Sequence, residues 1–172
     1  GLIWFSAGFV EYPVPNYLPE GARLIELQIS LEIASHLPDA APEDKSLGVL
    51  FSVNQIAVGS WIVPLNDDNY RSLYTPSWWE PSRIQSGKIK LLTINQKGTF
   101  IDGNNRVSAV TIGQLDITPG KRVRLRVTSQ GSGVTIFGRG FGNYNQDISV
   151  TGIYEPASSR SSKSSNLPAN SK

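Results

Sequence analysis

The chain has 172 residues, of which 39% are hydrophobic and 17% charged, a composition that suits one packed domain and excludes wholesale disorder. No apolar run nears the roughly 20 residues of a membrane-spanning helix, and the absence of cysteine excludes disulfides and thiolate metal sites. The net charge of +2 comes from the end of the chain: Arg160, Lys163 and Lys172 follow Ser158 with no acid among them, and without these three the 16 basic residues fall to 13 against 14 acidic. A near-neutral body argues against nucleic-acid binding through a broad basic surface.

The first residues, Gly1 to Phe5, show neither the basic region nor the cleavage site of a signal peptide, and the missing initiator Met suggests a fragment or a processed chain. Hydrophobic spacing then has a period of two. Leu27, Ile29, Leu31 and Ile33 alternate with Gln28, Ser30 and Glu32, the pattern of a half-buried strand with its polar residues facing outward. Ser35 to Asp39 reads as a loop. Val49, Phe51 and Val53 lead through Asn54-Gln55 to Ile56, Val58 and Trp61, a predicted hairpin whose turn needs the positive φ that Asn tolerates. A long connection follows, within which Pro76 to Glu80 forms at most one helical turn.

Leu91 to Ile94 and Thr99 to Ile101 read as a second hairpin around Asn95-Gln96-Lys97-Gly98, with a further turn at Asp102 to Asn105 and a short segment from Arg106 to Ile112. Val123, Leu125 and Val127 alternate with Arg122, Arg124 and Arg126, predicting a strand with one wet, basic face. Val134 to Phe137 and Ile148 to Tyr154 complete the set. No long amphipathic helix is visible. Short strands between Gly, Pro and Asn turns predict an all-β, antiparallel sandwich of jelly-roll-like type as a single domain over residues 1–156. Residues 157–172, rich in Ser, bury too little apolar surface to offset ordering and are predicted to be a disordered tail.

Catalytic constellations are weak. His36 is the only histidine and lies in the predicted loop, so it reads as exposed rather than as the base of a triad. Asp67, Asp68 and Glu80 share the long loop, where solvation accounts for them better than a glycosidase pair does. Asp102 to Asn105 and Asn143 to Asp147 hold oxygen ligands of the calcium type, but Asx-rich turns that satisfy their own backbone explain them better. Gly138-Arg139-Gly140-Phe141-Gly142 has the look of a phosphate loop, yet it runs back into a strand instead of opening a helix. The glycines fit a tight structural turn in which Gly140 and Gly142 take positive φ or a close backbone approach and Asp147 accepts local hydrogen bonds, Gly138 belonging to the same turn. No enzyme activity, cofactor or metal is expected.

The aromatic residues carry more information. Trp61, Tyr70, Tyr74, Trp78 and Trp79 fall in one stretch with Asn66, Asp67, Asp68, Asn69 and Arg71 beside them. Flat rings beside polar groups hold sugars and other amphipathic ligands. Trp61, Arg71, Tyr74, Trp78 and Trp79 are therefore the candidate ligand-binding residues. The competing reading is that a tryptophan of the Trp78-Trp79 pair only plugs the end of the sandwich.

Several segments taken together resemble a known domain. They are Gly1 to Tyr12 with Pro19-Glu20-Gly21-Ala22; Phe51 to Asn54 with Val58-Gly59-Ser60-Trp61; Thr75-Pro76-Ser77-Trp78-Trp79; Gly98 to Gly103; Val107 to Ile112; and Ile136 to Ile148. In this order they are similar to the C-terminal β-rich domain of predicted bacterial transcriptional regulators that carry an ArsR-like winged helix-turn-helix in front of it. The resemblance implies a cytoplasmic, effector-sensing or dimer-supporting domain. DNA contact is then expected only through a winged helix that is not in this chain, with a homodimer as one mode of assembly; the ligand expected from the aromatic residues is an unidentified small molecule or sugar, and no membrane association is expected. The alternative is a carbohydrate-binding module of jelly-roll type.

Overall fold

The computed structural model describes residues 1–36, 48–62, 71–131 and 133–157. In chain order the strands are β1 (Leu2–Phe5), β2 (Phe9–Val14), β3 (Arg23–His36), β4 (Gly48–Val53), β5 (Ile56–Ile62), β6 (Lys88–Asn95), β7 (Gly98–Ile101), β8 (Asn105–Ser108), β9 (Val123–Ser129), β10 (Gly133–Phe137) and β11 (Ser149–Glu155). Every pairing between them is antiparallel. One sheet has the order β1-β10-β3-β6-β7-β8, with β11 also on β3; the other has the order β2-β9-β4-β5. The protein is thus all-β, two antiparallel sheets packed on a shared core. No helix among the described residues is long and apolar enough to cross a membrane.

The period-two residues make that core. Leu27, Ile29, Leu31 and Ile33 of β3, with Leu92 and Ile94 of β6, meet Val49, Phe51 and Val53 of β4 and Val123, Leu125 and Val127 of β9, all buried. Each fully buried side chain of this kind contributes about 1.5–3 kcal/mol. A 3₁₀ turn at Ile112–Gln114 sets Ile112 and Leu115 against the same core. The β4–β5 hairpin turns on Asn54 and Gln55, both at positive φ (49° and 70°). The Asn54 amide then donates to the Leu115 carbonyl at 2.8 Å and its oxygen accepts from Arg124 N–H at 2.9 Å, so one turn residue ties two connections together.

Four features depart from the sequence reading. β1 and β2 were not predicted as strands: β1 is four residues long, and Pro13 lies in β2, whose alternation is masked by exposed Phe9 and half-buried Glu11. β3 extends past Ile33 through Ser35 and His36, residues predicted as loop, because β10 supplies backbone partners: Val134 pairs with Ser35 and Gly133 with His36. Glu32 does not face solvent, being 1% exposed. The arginine face of β9 is not a bare basic strip. Glu11 of β2 accepts from Arg124 at 3.0 Å and from Arg126 at 2.8 Å, and the Arg126 guanidinium lies 3.9 Å from the centre of the Phe9 ring. The His36 side chain, Tyr70, the polar run Asn66 to Asn69 and the tail from Ser158 lie outside the described residues.

A candidate ligand platform on the outer face of the large sheet

β10 and β11 follow the same edge of β3. Phe137 pairs with Glu32 and Ser149 with Ser30, so the two strands form one line of pairing from which residues 138–148 are thrown out as a loop. Leu31 and Ile33 point into the core, and alternation therefore sends Glu32 and its neighbour Phe137 to the outer face. Phe137 is nonetheless 1% exposed. Loop 138–148 and the stretch 71–87 before β6 both bond to Glu32, giving that part of the large sheet a third layer.

Glu32 organises this layer. Its carboxylate accepts from the backbone N–H of Gly87 at 2.9 Å, of Asn143 at 3.0 Å and of Tyr144 at 3.1 Å. A buried strand side chain thereby accepts from amide groups of both covering loops, which satisfies its own carboxylate as well. The loops also bond each other: Tyr74 N–H donates to the Gly142 carbonyl at 3.1 Å, Leu73 N–H to Asn143 Oδ1 at 3.1 Å, and Gly142 N–H to Thr75 Oγ1 at 3.1 Å. Buried Thr75 donates in turn to the Gln85 carbonyl at 2.8 Å and bonds the Ser72 hydroxyl.

The glycine-rich turn has a structural geometry. Gly140 and Gly142 have φ of 81° and 74°. Arg139 N–H donates to Asp147 Oδ1 at 3.0 Å and Gly140 N–H to Asn145 Oδ1 at 2.9 Å. A Cβ on Gly138 would come within 2.8 Å of Asp147 Oδ1. The oxygens of Asn145 and Asp147 thus serve the turn's own backbone, while Asn143 Oδ1 ties the turn to the other covering loop through Leu73.

On this base stands an aromatic cluster. Trp78 meets Trp79 and Phe141 edge-to-face, with ring centroids 6.0 Å apart in both cases, and Trp79 meets Phe141 at 5.5 Å. Trp79 is half-buried and its indole N–H donates to the Ile84 carbonyl at 3.2 Å, so it supports the cluster. Trp78 is 72% exposed and Tyr74 46% exposed. The turn beneath them is closed by Trp79 N–H to the Pro76 carbonyl, and Arg71 donates to the same oxygen at 3.0 Å. Among the described residues, the exposed guanidinium makes this one hydrogen bond.

Of the candidate residues, Arg71, Tyr74, Trp78 and Trp79 therefore share one loop layer, and the turn residues Gly138, Gly140, Gly142 and Asp147 belong to the loop beneath it. Trp61 does not join them. It lies near the end of β5, half-buried against the core, with the Lys90 ammonium 4.3 Å from its ring centre and that ammonium paired to Asp102 at 2.5 Å. Sequence reasoning missed Glu32, Phe141 and Thr75. Glu32 sits at an outward position of an alternating strand, and nothing in the period distinguishes it from Gln28 or Ser30. Phe141 carried a usable signal, a large ring inside a glycine turn that must find a surface to cover. No family model matches the chain, and no curated protein and no solved structure matches it.

Proposed function

We propose that this chain is a non-catalytic ligand-binding domain whose site is the Trp78 platform. One observation carries the reading: Trp78 keeps 72% of its surface in water although two aromatic rings brace it edge-on and a doubly hydrogen-bonded turn fixes its backbone. A large ring held rigid and left bare costs little entropy when a flat ligand stacks on it. Tyr74 and the exposed guanidinium of Arg71 supply polar groups that orient such a ligand.

The motif resemblance supports reading this site as part of an effector-sensing or dimer-supporting domain of a cytoplasmic transcriptional regulator, where a separate winged helix would read DNA. Ligand binding would then act by favouring one arrangement of attached domains, which requires different affinities for the two. The second reading, a carbohydrate-binding module, draws on the same exposed ring, since sugars also stack on tryptophan.

Intrinsic fluorescence titration of the chain with nucleosides, small aromatic metabolites and oligosaccharides tests the proposal. The expected result is a saturable change for one class, abolished in Trp78→Ala while that variant still unfolds in one cooperative transition. A response to oligosaccharides alone favours the carbohydrate module. Absence of any saturable response, or a response that survives Trp78→Ala, overturns the platform as the site.

A further inference from the structure

The two sheets part along the flank between edge strands β2 and β11, where a pocket of about 150 Å³ enters the sandwich. Val14 of β2, Leu24 of β3, Val123 of β9 and Val150 of β11 line it, together with Leu18 from the segment after β2. Gly152, in the middle of β11, adds no side chain to the wall. The residues that line the pocket include no charged one, and its polar side chains are Asn16, Tyr17 and Tyr154. Asn16 is already committed: its amide donates to the Thr118 carbonyl at 2.7 Å and its oxygen accepts from Leu18 N–H at 3.0 Å. Those bonds pin the wall formed by residues 15–18. Tyr17 and Tyr154, 87% and 45% exposed, carry the remaining side-chain polar groups.

We infer that this pocket binds a small uncharged ring compound of benzene-to-phenol size. Its volume matches that of an apolar protein cavity known to take up benzene, roughly 150 Å³. The lining is mostly apolar and carries no charge, so an uncharged ring can displace water from it at low desolvation cost. The missing charge excludes carboxylate, phosphate and ammonium ligands from the interior. A hydroxyl on the ring is admitted only at the mouth, where the two tyrosines are. The pocket is separate from the Trp78 platform in residues and in chemistry.

The test is titration of the ¹⁵N-labelled full chain with benzene and with phenol, followed by amide chemical shifts. Saturable shifts are expected at Leu24, Val150 and Gly152, retained in Trp78→Ala. Leu18→Trp and Val150→Phe each fill the pocket and should weaken both probes by about tenfold or more, read in whichever variant keeps the parent's urea midpoint. The double variant Tyr17→Phe/Tyr154→Phe should weaken phenol about threefold and leave benzene unchanged. Shifts that never saturate, that fall elsewhere, or that persist in a folded filling variant overturn the inference. So does a probe that binds only after residues 158–172 are removed, since the pocket's occupant would then be the chain's own tail.

Discussion

A Cβ placed on Gly142 would lie 2.4 Å from both carboxylate oxygens of Glu32. The covering loop can approach the strand this closely only because residue 142 has no side chain, and its φ of 74° is also one that L-residues resist. Gly140 has a similar φ, 81°, but open space where a Cβ would be. The two glycines therefore separate backbone strain from contact. Gly140→Ala should cost about 1 kcal/mol and Gly142→Ala about 2 kcal/mol or more in urea unfolding. In a Glu32→Ala background the excess at Gly142 should shrink, because the clash is gone and only the φ penalty is left. Equal costs at the two glycines would show that the loop relaxes away from Glu32.

Replacing Glu32 by Gln keeps the shape and changes the chemistry. Both carboxylate oxygens accept N–H bonds, and an amide would turn one acceptor into an NH₂ facing a backbone donor. A loss of about 2 kcal/mol or more is expected by chemical denaturation, the cost of a buried donor without a partner. Hydrogen exchange at Gly87, Asn143 and Tyr144 should speed up ahead of the core strands, since only the covering loops lose their tie. Unchanged protection at these three amides would remove Glu32 from its organising role.

The two tryptophans of the platform should behave differently. Trp78→Ala removes a mostly exposed ring and should cost about 1 kcal/mol, from its edge-to-face contacts. Trp79→Ala takes out a half-buried ring and its hydrogen bond to Ile84, and should cost about 2–3 kcal/mol. Acrylamide should quench fluorescence less in Trp78→Ala than in the parent. The reverse order of stability losses would mean that Trp78 is the support and Trp79 the free face.

Glu11 makes stability depend on acid. Its hydrogen bond with the Arg126 guanidinium holds its carboxyl below the ordinary value of 4.5, against desolvation that pushes it up and with help from Arg124. A carboxyl whose folded value is depressed contributes stability that is complete above its unfolded value and lost as pH falls through the folded one. The urea midpoint should therefore decline below about pH 4.5, and Glu11→Gln should flatten that decline. Salt should flatten it as well, because Arg124 is 61% exposed. An acid limb identical in the parent and in Glu11→Gln would show that other carboxyls carry it.

Alternation in the sequence was enough to establish the all-β class and the inward residues of β3, β4 and β9, because a period of two forces every second side chain onto one face and only one face of each strand was apolar. The hairpin at Asn54-Gln55 was legible for a similar reason: few residues accept positive φ, and Asn is among them. The Trp78-Trp79 loop stood out because large rings in a polar loop are uncommon. What could not be read was which ring would be the support and which would be bare. That depends on Phe141, which reaches Trp78 and Trp79 from a loop more than 60 positions further along the chain. Glu32 was illegible for the same cause. Its burial is decided by amides of Gly87, Asn143 and Tyr144, and backbone donors leave no trace in residue type. Local chemistry thus set the strands and turns, whereas the platform exists only because β10 and β11 share one edge of β3 and throw the intervening loop over its outer face.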